Sequence, residues 1–312
     1  MRPSQRHRLF NLLHSAVLLI GMTALFWAAL SSFLGPWFAA AIAVGLVLGV
    51  SFMPSAPPSL YLRAYRAQPL TRRQVPELLR ILEVLSERAA LPSAPRLFYI
   101  PSRVPNAFAA GAPGESVICV SDGLLRMMHT RELVGVLAHE VSHIANRDLW
   151  IMGLADSMTR ITGAISTLGQ VMLLVSLPFW LFGFVAVPWW LPLLLIAAPT
   201  GMTLLQLALS RSREFDADRG AAELTGDPQA LASALTKLER RVGQFWEDLV
   251  FPARRIPEPS MLRTHPPTKA RIERLKALTP PRRPIEIRTG EPSQVFPAVL
   301  RRPRYHWTGV WY

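Results

Sequence analysis

In the stretch "LAHEVSH", Leu137 to His143, two histidines stand four residues apart around a glutamate, in a chain with seven histidines in all. Residues four apart on a helix lie one above the other, with about 5–6 Å between their Cβ atoms. His139 and His143 can therefore aim two imidazoles at one ion, and Glu140 borders the same face. Zinc takes neutral imidazole nitrogens together with a carboxylate oxygen and keeps one position for water, whose pKa it lowers to about 7. A glutamate beside that water, and not itself a ligand, can take the proton and hand it to a leaving amine. The HExxH spacing thus points to hydrolysis, with His139 and His143 as metal ligands and Glu140 as the base.

Two histidines do not complete a tetrahedral site. One candidate for the third ligand lies in "SRSREFDADRGAAEL", where Glu214 and Asp218 are again four apart on an expected helix. The other is His265 in "THPPTKARI". His7, His14, His129 and His306 have no partner at metal spacing. The single cysteine, Cys119, excludes a disulfide within the chain and sits in a strand-like run, as a small core residue would.

The elements that must carry these residues are mostly apolar. Half of the 312 residues are hydrophobic and the mean hydropathy is +0.24. Two apolar runs, Leu9 to Phe33 and from Gly35-Pro36 to about Phe52, are each near the roughly 20 residues that cross a bilayer. A second apolar stretch, about 151 to 209, fits two more spans, roughly Leu154–Phe179 and Trp190–Leu209. Asp156 and Arg160, four apart near its start, suit an ion pair on one helix face. The net charge is +13, and all but three of the basic residues (Lys237, Lys269, Lys276) are arginine. Arginines flank the open ends of the first hairpin (Arg2, Arg6 and Arg8; Arg63, Arg66, Arg72 and Arg73), and none sits in its turn. The bias toward positive loops on the inner face then places both termini and the polar segments in the cytoplasm. No nucleic-acid-binding motif competes with this reading.

Between the spans, "VPELLRILEVLSERA" has Leu78, Leu82 and Leu85 at helical spacing. "RLFYI" and "SVICVS" read as strands, with a turn at "GAPGES". "SVICVS" is expected to pair with an extended peptide by edge addition. "TRELVGVLAHEVSHIANRD" reads as a helix capped by Thr130, and "GDPQALASALTKLERRV" as one capped by Asp227 with Pro228 at its first position. If His143 and Glu214 bind one ion, the apolar stretch between them must cross the membrane an even number of times. Two spans fit its length.

"LAHEVSHIANRD", "SRSREFDADRGAAEL" and "THPPTKARIERL" together resemble the HtpX-type membrane zinc metalloproteases, gluzincins related to the CAAX prenyl endopeptidases. "NAFAAG", from Asn106, resembles that family's segment leading into its substrate-binding edge strand. The resemblance covers about Leu97 to Leu278. It implies that Glu214 is the third zinc ligand and that Asp218 orients a ligating histidine. Asn106 and His265 become candidate substrate or transition-state contacts, and membrane proteins or peptides the substrates, in quality control. The expected fold is a mainly α membrane protein with about four transmembrane helices and a cytoplasmic zincin-type α+β domain carrying a small sheet. Its segments are a hairpin over 1–60, a first catalytic part over 61–150, a second hairpin over 151–210, a second catalytic part over 211–280 and a Pro/Arg-rich tail over 281–312. The expected cofactor is one Zn2+ per chain. Two alternatives stay open: a catalytically silent membrane adapter and a CAAX-type prenyl-protein processing protease.

Overall fold

The computed structural model describes residues 3–52, 58–183, 188–248, 268–279 and 284–285. His265, and the tail over 281–312 apart from residues 284–285, lie outside them. The chain divides into two compact units, Met1–Pro54 with Trp150–Arg213 and Ser55–Leu149 with Glu214–Tyr312.

The first unit is built from helices. α1 (Pro3–Leu34) packs against α2 (Pro36–Phe52), and the unit also takes most of α7 (Asp148–Leu181) and the first part of α8 (Trp190–Thr225). Met22, Phe26, Leu30, Ala39, Ala43, Leu154, Ala155, Met158, Met202 and Leu209 form its interior. The Thr159 hydroxyl donates to Gln206 Oε1 at 2.7 Å, tying α7 to α8. Trp37, Phe38 and Leu174 face outward at 86%, 71% and 74% exposure, as side chains in contact with lipid would.

Among the described residues, three helices are long and apolar enough to cross a membrane: Leu13–Ser31 within α1, α7 and α8. The fourth expected span, α2, has 17 residues. At 1.5 Å per residue it reaches about 25 Å, at the short end of the roughly 17–25 residues that cross a bilayer. α8 departs from expectation. The apolar span and the acid-bearing segment form one helix of 36 residues. Arg211 and Arg213 mark a change in polarity, with no break in the helix.

The second unit holds a four-stranded sheet in the order β1 (Gln68–Pro69), β2 (Arg96–Ile100), β4 (Val117–Ser121), β3 (Ala107–Ala110). β2 and β4 are parallel; β1 and β3 are antiparallel to their neighbours. This order corrects one expectation. "SVICVS" is β4, flanked on both sides, so its backbone donors and acceptors are already taken. The outer strands are β1 and β3, and the "NAFAAG" motif supplies β3. α3 (Pro58–Ala64) brings Tyr61, which with Tyr65 packs on Phe108. α4 (Pro76–Arg88) buries the expected Leu78, Leu82 and Leu85, with Ile81. Cys119 is fully buried in β4, and burial pushes its thiol up to about 12, so it is no nucleophile.

After α5 (Asp122–Met127), α6 (Thr130–Ala145) carries the HExxH residues and is buried on nearly every side. Thr130 is its first residue, not its cap. The capping position belongs to His129, whose N–H donates to Glu132 Oε2 at 2.9 Å, half of a capping box. α9 (Pro228–Asp248) starts as expected, with Asp227 Oδ1 accepting from the Ala230 N–H at 3.2 Å. Gly135 lets α6 approach α9, because a Cβ there would strike the Leu231 backbone.

Glu132 locks this contact. It accepts from Ser233 Oγ and from Lys237 Nζ, each at 2.6 Å. Burial alone would push its carboxyl up, but Lys237, Ser233 and the His129 N–H outweigh burial and hold it below the usual glutamate range. A depressed pKa stabilises the fold above the unfolded value of about 4.3, and that contribution is lost as the pH falls through the lower folded value. Glu132→Gln is therefore expected to cost about 1–2 kcal/mol at neutral pH, a charged hydrogen bond discounted for the half-exposed Lys237. Denaturant titrations across pH check this; a penalty that does not shrink in acid would reject the assignment.

Candidate metal centre

α6 presents His139 and His143 one turn apart, and α8 brings Glu214 and Asp218 against them. The approach of these two helices is tight: a Cβ on Gly220 would land on the Ser142 hydroxyl. His139 Nε2 lies 3.1 Å from His143 Nε2 and 3.4 Å from Glu214 Oε2, and His143 Nε2 lies 3.6 Å from Glu214 Oε1. Ligands at about 2.0–2.1 Å around a tetrahedral ion sit ~3.3 Å apart; the two imidazole nitrogens stand near that spacing, and the carboxylate turns one oxygen toward each of them. Two neutral imidazole lone pairs facing each other need a cation or a proton between them. Among the described residues, His139, His143 and Glu214 are the group that could hold a metal ion. Of the two candidates for the third ligand, Glu214 stands within this group, and His265 lies outside the described residues.

Glu140 is 3% exposed, and its Oε1 is buried with no hydrogen-bond partner among the described residues. A buried carboxylate oxygen without a partner is costly in a folded protein. Here it accords with a group that belongs to the reaction. The donor set and this oxygen fit a divalent ion with a bound water.

Asp218 Oδ1 stands 3.1 Å from His139 Nδ1, close but off the axis of a hydrogen bond. The resemblance implied that contact. Two further contacts were not foreseen. Asp148 Oδ2 is 2.7 Å from His143 Nδ1. Arg271, on α10 (Thr268–Ala277), is 3% exposed. Its Nε and Nη2 donate to the two Asp218 oxygens at 2.7 and 2.6 Å, and its Nη1 reaches Glu214 Oε2 at 3.2 Å. Arg274 adds a second hold on α8, with its guanidinium carbon 3.8 Å from the Phe215 ring centre.

The electrostatics follow from this packing. Burial opposes a charge on His139, but Asp218 and Glu214 outweigh it and push its pKa up to about 9. An ion must then displace a proton from His139, so metal affinity falls as the pH drops below that value. Burial likewise opposes the charge on Arg271, and Asp218, Glu214 and Glu140 outweigh it.

Asn106 lies just before β3. Its N–H donates to Ser121 Oγ at 2.8 Å and its carbonyl accepts from the Ser121 N–H at 2.9 Å. Its Oδ1 is buried with no hydrogen-bond partner among the described residues.

Residues 72–279 match the family model "Peptidase family M48". The chain is 36% identical over 298 residues to a Protease HtpX homolog of Methylibium petroleiphilum, covering 88% of this chain and 100% of that protein. A Protease HtpX homolog of Pyrococcus furiosus is 39% identical over 239 residues, 70% of this chain and 79% of its own. One of Acaryochloris marina is 42% identical over 232 residues, 70% and 77% of the two chains. A crystal structure of S. mikatae Ste24p shares 20% identity with a TM-score of 0.45, over 86% of this chain and 66% of that one. That likeness is too distant to carry an argument.

Proposed function

The chain belongs to peptidase family M48 and is a membrane metalloprotease, and from that premise we propose that it is a zinc endopeptidase with one Zn2+ held by His139, His143 and Glu214. The observation that carries this reading is the donor spacing of 3.1–3.6 Å among two imidazoles and one carboxylate, a set typical of hydrolytic zinc. When bound there, zinc supplies a Lewis acid that acidifies water and polarises a peptide carbonyl.

The chain's own residues do the rest. Glu140 accepts the proton of the attacking water and returns it to the departing amine. Asp218 holds His139 and Arg271 holds Asp218. The outer edge of β3 takes an extended peptide by backbone pairing, and α6 packs against that strand. Both backbone groups of Asn106 are committed to Ser121, so its carboxamide is what remains to meet the peptide. A free strand edge accepts only extended chain, which folded proteins seldom offer. This favours damaged or misassembled membrane proteins as substrates, hence quality control.

The arginine distribution supports a multi-pass protein of the cell inner membrane, with the catalytic unit and both termini in the cytoplasm. The prenyl-protein processing alternative has no observation in its favour, and the assembled site speaks against a silent adapter. The test is digestion of a model membrane protein by the detergent-purified enzyme. Chelator is expected to stop cleavage and stoichiometric zinc to restore it, with less zinc needed at pH 8 than at pH 6, below the raised His139 value of about 9. Cleavage that survives complete metal removal would reject the zinc reading.

A further inference from the structure

One short contact to a candidate ligand is not used directly by the reaction. His143 Nδ1 and Asp148 Oδ2 are 2.7 Å apart, and Asp148 is 2% exposed. α6 ends at Ala145 with Asn146 as its cap, Arg147 takes a left-handed backbone at φ 56°, and α7 begins at Asp148. That single left-handed residue turns the chain back, so the first side chain of α7 meets a ring five residues earlier. A non-glycine residue costs about 1–2 kcal/mol in that conformation, so the turn is held by what it makes. What it makes here is the His143–Asp148 contact.

A neutral imidazole carries one donor and one acceptor nitrogen. An ionised carboxylate only accepts, so the Nδ1 facing Asp148 must hold the hydrogen. The lone pair is then on Nε2, the atom that lies 3.1 Å from His139 Nε2 and 3.6 Å from Glu214 Oε1. A ring flipped about its axis would present carbon to the ion and lose the contact to Asp148. His139 has the same kind of partner in Asp218, but at 3.1 Å and off axis. His143 is therefore the ligand whose tautomer and plane are the more tightly set.

We propose that Asp148, on the first turn of α7, is a positioning residue of the metal centre that fixes His143 as an Nε2 donor before the ion arrives. This rests on the reading of His139, His143 and Glu214 as the ligands. Ligand-orienting carboxylates typically contribute 10–100-fold to metal affinity. Asparagine at this place can still accept from Nδ1–H but brings no charge, so it recovers part of the effect; alanine recovers none.

The test uses the full chain in detergent: wild type, Asp148→Asn and Asp148→Ala. Zinc affinity is read by competition with a chromophoric chelator, ligand geometry by the visible spectrum of the cobalt-loaded protein, and folding by thermal unfolding of the metal-free protein. The expected result is zinc binding weakened about 10–100-fold in Asp148→Ala and less in Asp148→Asn. The cobalt spectrum should change, while metal-free Asp148→Asn unfolds close to wild type. If wild type binds zinc and both variants match its affinity, the proposal is wrong. It is equally wrong if affinity falls only in step with metal-free stability and the cobalt spectrum stays put. A wild type that binds neither zinc nor cobalt overturns the ligand reading, and the role of Asp148 with it.

Discussion

Glu140→Gln is expected to keep zinc bound at wild-type stoichiometry and to lower peptide cleavage by about 10²–10⁴-fold, the usual contribution of a positioned general base. The two halves of this expectation come from different observations. Zinc stays because the donor cluster consists of His139, His143 and Glu214 and does not include Glu140. Cleavage falls because glutamine keeps the shape of the side chain but cannot accept a proton from water. The buried Oε1 of Glu140, without a partner among the described residues, is the atom expected to accept it. Metal analysis and digestion of the same membrane-protein substrate read the two halves separately. Retained cleavage would remove Glu140 from the mechanism; lost zinc would mean that it is a ligand.

Much of this site could be read from spacing, because helix periodicity is a local rule. His139, Glu140 and His143 needed only the four-residue repeat, and Glu214 with Asp218 needed the same repeat on another helix. The resemblance then selected Glu214 over His265. Other features depend on packing at long range or on helix ends. Asp148 follows a helix terminus, where the period that relates His139 to His143 no longer applies. β3 is short and alanine-rich, and lies between proline and glycine turns, so it has little strand signal of its own. "SVICVS" has that signal in full, which is why it was expected at the edge although the sheet buries it in the middle. The continuity of α8 was hidden because a switch from apolar to charged residues marks an environment, not a helix end. One missed residue did leave a trace. In "KARIERLKAL", Arg271 shares a face with Leu275 and Leu278, an arginine on an otherwise apolar stripe; Arg271 and Leu275 are both buried.

That arginine carries the largest expected effect on stability. Arg271→Met should cost the metal-free protein ~3–5 kcal/mol, the range for leaving a buried charge without its partner. The loss is large because one guanidinium serves two carboxylates a helical turn apart, forked on Asp218 and reaching Glu214. Without it, Asp218 and Glu214 face each other buried, with Glu140 nearby. Lysine should rescue only part of the loss, since an ammonium is a point charge and cannot form the fork. A divalent ion bound by Glu214 restores positive charge at the same spot, so the zinc-loaded variant should lose less than the metal-free one. Thermal unfolding of wild type, Arg271→Met and Arg271→Lys, each with and without zinc, measures both differences. If the metal-free Met variant unfolds within about 1 kcal/mol of wild type, the two carboxylates are not held as charged groups. Asp218 could then not orient His139 as an ionised acceptor.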